Sequence, residues 1–203
     1  MRFLERNFRF SNTSARFLFI FAAFGVLVMG ASYFYRTRKP QYKVMVPNPD
    51  GSSSLMDFSL LEGITLVNLK AGEPEGVTLT SSCNTLVIIL SPGDCPTCLR
   101  EKLVWESLAR SYNAARFQVI GIIIRASAEE AETITKALNV PFTIYYDKRN
   151  DLKQRSLAPQ VTPFKILFGG RKGILLAAGP NNRVNEQEQF GEKVRSSLED
   201  CRQ

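Results

Sequence analysis

The sequence contains no histidine and only four cysteines among its 203 residues. The absence of histidine excludes His-ligated metal sites, Ser-His catalytic triads and histidine general bases. Four cysteines are too few for a disulfide-stabilised scaffold of this length. Hydrophobic residues make up 44% and charged residues 22%, which are globular values and exclude extended disorder, collagen and coiled coil. The chain is long enough for one domain and a short additional segment.

The net charge of +7 does not indicate a nucleic-acid partner, because much of the positive excess surrounds one apolar segment. The basic residues on its two sides are Arg2, Arg6, Arg9 and Arg16, then Arg36, Arg38, Lys39 and Lys43. We therefore predict that the protein binds no nucleic acid.

An uncharged apolar run extends from Phe17 to Tyr35. At about 1.5 Å per residue, a helix of that length crosses a hydrocarbon core of about 30 Å. The alternative is a cleaved signal peptide, with Val28 and Gly30 as small residues before the cut. We predict an uncleaved transmembrane anchor at 17–35 that follows a basic segment at 1–16, because the apolar run continues beyond a signal-peptide core.

The orientation of this anchor is not decided by the positive-inside rule, since four basic residues flank each side. We place the N-terminus inside, because long domains are translocated largely regardless of flanking charge. The domain then lies in an oxidising compartment outside the cytoplasm, where a dithiol has a function.

The rest of the chain divides into a tether and a domain. Residues 36–54 include a stretch rich in Pro, Gly and Ser and are predicted to be a linker, and the domain is predicted at 55–203. The apolar stretches Met56–Leu61 and Ile64–Leu69 predict an opening β-hairpin, followed by a loop through 72–76.

Beyond that loop, strand and helix patterns alternate. Strands are predicted at Thr85–Leu90, Phe117–Ile124, Phe142–Tyr146, Lys165–Phe168 and Ile174–Ala178, and helices at Cys95–Tyr112, after Ser127, at Asp151–Leu157 and from Asn185. Ser127 and Glu130 have the spacing of a capping box. This order predicts an α/β fold with a mixed sheet and helices on both sides.

The tetrapeptide Cys95-Pro96-Thr97-Cys98 directly follows a strand predicted to be buried and opens a predicted helix. The positive end of that helix stabilises a thiolate on Cys95, and Cys98, one turn further in, is the expected resolving thiol. The strand–CxxC–helix arrangement favours a redox dithiol that needs no cofactor.

Zinc coordination and inert structural thiols are the alternatives to redox chemistry. Zinc normally needs four ligands, and Cys83 and Cys201 lack CxxC spacing. We therefore predict no metal site, and free thiols without a catalytic role at Cys83 and Cys201.

Glu101 is the one charged residue on the helix face that should pack against the sheet. At 100° per residue that face contains Cys98, Glu101, Trp105, Leu108 and Tyr112. Two interpretations stay open: a carboxylate at the rim of the face that reaches water, or a proton acceptor beneath the cysteine pair.

Thr162-Pro163 immediately precedes a predicted strand. An X-Pro bond at this place can be cis, since cis costs only about 0.5–1 kcal/mol relative to trans. The alternative is a trans proline at the first residue of a strand.

Together, the CxxC after a buried strand, the Thr162-Pro163 pair and the glycine-rich hairpin at 169–173 resemble the thioredoxin fold. More narrowly, the chain resembles the membrane-anchored TlpA/ResA-like thiol-disulfide oxidoreductases of bacteria. That family carries an N-terminal anchor, an added N-terminal β-hairpin and a Glu three residues after the second cysteine, which Glu101 matches.

The resemblance implies dithiol–disulfide exchange with protein substrates, catalysed by the CxxC and Glu101. It also implies that substrate pairs with Thr162 beside a cis Pro163, close to Pro96 and Thr97. Further implied are a single-pass location in the bacterial cytoplasmic membrane with the domain on the periplasmic side, and a membrane or thioredoxin-type redox partner.

One departure from the family bears on the chemistry, because Asp94 stands where the family usually has Trp. Its charge opposes a Cys95 thiolate unless Asp94 caps the helix and is turned away. Two other functions are alternatives to disulfide exchange. A peroxidase of the related peroxiredoxin group would carry Thr or Ser where this chain has Pro92, and a non-catalytic accessory subunit of a larger membrane complex would need only the fold.

Overall fold

The computed structural model describes residues 42–77, 84–94, 97–113, 116–169, 173–181 and 183–199, with backbone only at 97–99 and 199. The predicted anchor at 17–35 lies outside this part of the chain, as do Cys83, Cys95, Pro96 and Cys201. Among the described residues, no helix combines the length and the apolar character that a membrane span requires.

The described chain contains nine strands and four α-helices. The strands are β1 (Lys43–Pro47), β2 (Ser53–Asp57), β3 (Thr65–Asn68), β4 (Glu73–Gly76), β5 (Asn84–Leu90), β6 (Phe117–Ile123), β7 (Thr143–Tyr146), β8 (Phe164–Phe168) and β9 (Ile174–Ala178). The helices are α1 (Thr97–Ser111), α2 (Ala128–Leu138), α3 (Asp151–Gln154) and α4 (Val184–Glu199), and a 3-10 turn spans Phe58–Leu61.

Strands β3 to β9 form one mixed sheet in the order β4-β3-β7-β6-β5-β8-β9, while β1 and β2 form a separate antiparallel pair. Strand β5 runs parallel to β6 and antiparallel to β8. The predicted thioredoxin-like α/β fold with a mixed sheet is confirmed.

Strand β5 lies inside the sheet between β6 and β8, and all seven of its residues are buried. Its β-branched and leucine side chains alternate between two apolar clusters, as the two-residue period of a strand requires. Val87 and Ile89 belong to the cluster that includes the 3-10 turn and α3, and Leu86 and Ile88 to the cluster that includes α1, α2 and α4. The continuous apolar run that predicted this strand is therefore a consequence of burial on both faces.

Helix α1 positions the second half of the CxxC motif and packs on the sheet through one face. Trp105 and Leu108 are fully buried there, whereas Leu103 on another face is 69% exposed. The amphipathic spacing thus sets the rotation of α1 and turns Glu101, one turn before Trp105, toward the core.

Two predictions about the N-terminal part of the domain are wrong. Residues 43–54, expected to be linker, form β1 and the start of β2, and Val46 is fully buried. The Pro- and Gly-rich stretch between them is a hairpin loop, with Gly51 at φ +82°. Because β1 pairs with β2, the predicted hairpin of 56–61 with 64–69 does not form.

Strand β3 instead pairs with β4, which occupies part of the predicted loop at 72–76. All four residues of β4 are exposed, so the strand carries no apolar signal in its sequence. Its Glu73 and Pro74 are residue types that protect the edge of a sheet from further pairing.

Candidate functional site

The CxxC motif follows the carboxyl end of β5, and its last two residues open α1. Strand β5 ends at Leu90, and the chain turns through Ser91–Asp94, where the Asp94 amide donates to the Ser91 carbonyl at 3.1 Å. Helix α1 begins at Thr97, so Cys98 occupies its second residue. The predicted strand–CxxC–helix context is present, although Cys95 and Pro96 lie outside the described residues.

The side chain of Asp94 is fixed by the turn that precedes the motif. Its Oδ2 accepts a hydrogen bond from the Ser91 amide at 2.9 Å, and its Oδ1 accepts one from the Ser91 hydroxyl at 3.1 Å. The hydroxyl of Thr162 also donates to Oδ1, and the two hydroxyls lie 2.7 Å apart. The described bonds of Asp94 therefore lead to Ser91 and Thr162.

Burial raises the pKa of Asp94 above its ordinary value. The hydrogen bonds from Thr162 and Ser91, together with the positive charge of Arg125, act in the opposite direction. Desolvation is the larger effect, as expected for a carboxyl group that is removed from water and paired only with neutral donors.

The Thr162–Pro163 peptide bond is cis, as the resemblance implied. Pro163 is buried and Thr162 half-buried, directly before β8. Since β8 is antiparallel to β5, with Phe164 opposite Ile89, the start of β8 lies beside the end of β5. The Asp94–Thr162 hydrogen bond joins these two segments through side chains that are 68 positions apart.

Glu101 lies in the core, with 2% of its surface exposed, rather than at the rim of its helix face. Its Oε2 accepts a hydrogen bond from Nζ of Lys165 at 2.6 Å, and both side chains are almost fully buried. Its Oε1 accepts a hydrogen bond from the Asn181 amide. Both carboxylate oxygens therefore have donors within the protein.

Lys165 is a residue of the site that sequence analysis did not identify. It lies in β8, two residues after Pro163, and its ammonium group is 5.2 Å from the centre of the Phe190 ring. This places a positive charge between Glu101 and the negative face of an aromatic ring, an arrangement that stabilises buried cations. The available signal was a lysine inside the apolar strand sequence Phe-Lys-Ile-Leu-Phe, next to a strand predicted to be buried.

The structure thus brings the predicted Thr162–Pro163 site next to the turn that leads into the predicted CxxC site. Thr162 and Pro163 lie beside the turn that leads into the CxxC, and Glu101 follows Cys98 by three residues on α1. Thr97 is the first residue of α1. A cysteine pair at this helix start, the half-buried Thr162 beside the preceding turn and a buried carboxylate are groups suited to thiol chemistry.

Comparison with known proteins supports this reading of the fold. The Redoxin family model matches residues 49–162, and no curated protein matches the chain. A secreted Mycobacterium tuberculosis disulfide oxidoreductase homologous to E. coli DsbE superposes with a TM-score of 0.54 and 18% identity, over 66% of this chain and 96% of that one.

Two further solved structures have the same fold. An uncharacterized thioredoxin-like protein from Porphyromonas gingivalis gives a TM-score of 0.54 at 17% identity, over 70% of this chain and 93% of that one. A mutant of Xylella fastidiosa PrxQ gives 0.52 at 12% identity, over 67% and 90%. At these identities the similarity shows the fold alone. The match at 49–162 covers more than half of the chain and includes the CxxC, and the chain therefore belongs to the Redoxin family.

Proposed function

We propose that the protein is a membrane-anchored thiol-disulfide oxidoreductase that exchanges a Cys95–Cys98 dithiol or disulfide with protein substrates outside the cytoplasm. The observation that carries the proposal is the convergence of two segments at the end of β5. The CxxC follows a buried strand and opens a helix, and the side chain of Thr162 is hydrogen-bonded to Asp94, the residue before the motif.

The chemistry follows from the order of the two cysteines. Cys95, before the first turn of α1, attacks one sulfur of a substrate disulfide as a thiolate, which forms a mixed disulfide and releases the other substrate sulfur as a thiolate that takes up a proton. Cys98 then loses its proton and attacks the Cys95 sulfur, which releases the second substrate thiol and leaves the Cys95–Cys98 disulfide. A partner dithiol restores the reduced pair, and the reverse sequence oxidises a substrate.

The backbone at Thr162 is the proposed docking place for the substrate chain. An extended peptide can add to this segment as a strand, because main-chain hydrogen bonds provide affinity without requiring a particular side chain. The side chain of Thr162 is already engaged with Asp94, so the substrate is expected to meet the backbone of this residue.

The exchange proposal is tested on the purified protein with Cys95→Ser and Cys98→Ser variants and a peptide disulfide. The Cys95→Ser variant should form no mixed disulfide, whereas Cys98→Ser should form one that persists. After reduction of the wild type, Cys95 alone should be alkylated rapidly at neutral pH. Equal alkylation of both thiols by mass spectrometry would contradict the assignment, and Cys83→Ser is the matched control.

We assign to Glu101 the role of proton acceptor for Cys98 during resolution. Its place one turn after Cys98, its burial and its fixed carboxylate support this role. The Glu101→Gln variant keeps the shape of the side chain and removes the proton site. The mixed disulfide should then be resolved about 10²-fold more slowly, within the usual range for a general base.

A purely structural role of Glu101 predicts a different result. The single variant leaves Lys165 without its counter-ion, so slow resolution could also arise from a disturbed core. The double variant Glu101→Gln/Lys165→Met removes both charges and still lacks the carboxylate. Equally slow resolution in single and double variants supports the proton-acceptor role, and recovery in the double variant contradicts it.

Peroxide reduction is the competing activity, since the fold is shared with PrxQ. Pro92 stands three residues before Cys95, where peroxiredoxins carry Thr or Ser, and it lies in the turn after β5. A peroxide-consumption assay separates the two activities. Consumption at a rate comparable to disulfide exchange would replace the proposal.

The proposed membrane location rests on the uncharged apolar run at 17–35, which would have no polar face as a helix. After expression of the full chain, the protein should remain in the membrane fraction after carbonate washing, and an exogenous protease should reach the domain only from the periplasmic side. Release by carbonate would contradict the anchor. A non-catalytic accessory role is the alternative if Cys95→Ser/Cys98→Ser retains the biological activity of the wild type.

A further inference from the structure

Asp94 is an immobilised carboxylate placed immediately before the attacking cysteine. Three described donors hold it: the Ser91 amide and hydroxyl, and the Thr162 hydroxyl. The group is half-buried, so its field is screened less than that of a surface charge. Consecutive Cα atoms are about 3.8 Å apart, which keeps the carboxylate within about 10 Å of the Cys95 sulfur in any rotamer.

The charge of Asp94 is not neutralised by a bonded cation among the described residues. Its hydrogen-bond donors are uncharged, and Arg125, which follows β6, interacts with it electrostatically while donating its own hydrogen bonds to the carbonyls of Pro159 and Gln160. The other buried charges near the motif, Glu101 on α1 and Lys165 on β8, form an ion pair with each other. Among the described residues, Asp94 is therefore a carboxylate without a bonded cation, and it stands next to Cys95 in the chain.

We propose that Asp94 is a positioning and electrostatic residue of the dithiol site: it ties Thr162 to the turn before the motif, and its charge lowers the thiolate population of Cys95. The inference rests on the proposed function only in taking Cys95 as the attacking thiol. Repulsion at about 10 Å with an effective dielectric constant near 20 corresponds to about a tenfold change in thiol ionisation.

The consequence concerns the direction of electron transfer. A destabilised thiolate destabilises the reduced pair relative to the Cys95–Cys98 disulfide, so the dithiol gives up its two electrons to a substrate disulfide more readily. The substrate disulfide is reduced to two thiols, and a partner dithiol supplies the electrons that restore the pair. An uncharged residue at position 94 makes the same pair a weaker electron donor.

The test compares wild type with Asp94→Asn, which retains the shape and one acceptor oxygen but removes the charge. The rate of Cys95 alkylation by iodoacetamide is measured from pH 5 to pH 10 on the reduced full-length protein, with the site of labelling identified by mass spectrometry. The midpoint of the profile should fall by about one pH unit in Asp94→Asn. At pH 9 the reduction potential should become less negative by about 30 mV, the equivalent of tenfold for a two-electron couple.

Asp50→Asn is the matched control. Asp50 also accepts hydrogen bonds from the amide and hydroxyl of a neighbouring serine, Ser52, but it is exposed in the β1–β2 loop. This variant removes the same charge from the protein and should leave the midpoint and the potential unchanged. If Asp94→Asn does not fold, as judged by its thermal unfolding, Asp94→Ser takes its place.

The outcomes separate the two proposals. An unchanged or higher midpoint of the alkylation profile in the folded Asp94 variant overturns the role of Asp94, whatever the activity of the protein. An equal shift in Asp50→Asn also overturns it, because net charge alone would then account for the effect. The alkylation profile can be measured without a substrate. If the midpoint shifts as expected but the protein exchanges no disulfide, the proposed function is contradicted and the role of Asp94 is still supported.

Discussion

Breaking the Glu101–Lys165 ion pair should destabilise the protein far more than removing both of its charges. The two side chains are 3% and 0% exposed, and their charged atoms are 2.6 Å apart. In Lys165→Met, the Glu101 carboxylate stays in the core without its counter-ion. Uncompensated buried charges of this kind cost about 3–5 kcal/mol. For a domain of this size, the same loss corresponds to a fall in Tm of about 6–20 °C.

The double variant Glu101→Gln/Lys165→Met carries no charge at this place. Replacing a buried ion pair with neutral groups of similar volume is often close to neutral or stabilising. The Gln side chain retains an acceptor for the Asn181 amide, and Met fills the space of the lysine stem beside Phe190. We expect the free energy of unfolding of the double variant to lie within about 1 kcal/mol of the wild-type value, so the effects of the two substitutions on stability should be strongly non-additive.

Urea unfolding of the four proteins, followed by tryptophan fluorescence, measures this cycle. Glu132→Gln and Lys136→Met form the control cycle, because that pair is exposed at 62% and 80% and its atoms are 3.6 Å apart. An exposed i,i+4 pair contributes about 0.3–0.5 kcal/mol. A loss below about 1 kcal/mol in Lys165→Met, or a double variant as unstable as the singles, would refute the assignment of an uncompensated buried charge.

Two further predictions concern the β1 strand and the cap of α2. A protein that begins at Pro49 should be less stable than one that begins at Pro40 by at least about 1.5–3 kcal/mol, because it lacks the fully buried Val46; equal urea midpoints would contradict this. Hydrogen bonds from Ser127 lower the pKa of Glu130, so its stabilising contribution is present above its ordinary value of 4.5 and is lost as the pH falls through the lowered value. Between pH 7 and pH 3, wild type should therefore lose more stability than Glu130→Gln, and parallel losses would show that the cap does not titrate.

Elements whose local sequence agrees with their environment were predictable. The β-branched run of β5 is buried on both faces, and the predicted bounds of β9 match the structure. The Ser127–Glu130 capping box is present with both of its hydrogen bonds. In each case a few neighbouring residues form the interaction or the apolar pattern that defines the element. A short stretch of sequence is therefore enough to predict it.

Elements that depend on distant partners were not predictable. Strand β1 precedes a Pro-, Gly- and Ser-rich loop that is typical of a linker, and its buried Val46 belongs to a core cluster that also contains Phe164 and Phe168, far along the chain. Lys165 is 64 positions from Glu101, and the pair exists because β8 lies beside β5 while α1 packs over the sheet. Sheet order is a property of the whole fold, and no local pattern around Lys165 specifies it.

The two carboxylates that flank the CxxC should affect the dithiol unequally. Glu101 is paired at 2.6 Å with Lys165, so at the distance of a helical turn its field is that of a dipole. Asp94 is held by neutral donors, so its field is that of a single charge, which weakens more slowly with distance. Neutralising Asp94 should therefore shift the alkylation profile of Cys95 by about one pH unit, whereas Glu101→Gln/Lys165→Met should shift it by much less. Equal shifts would show that the ion pair does not screen Glu101 and that both carboxylates act on the thiolate.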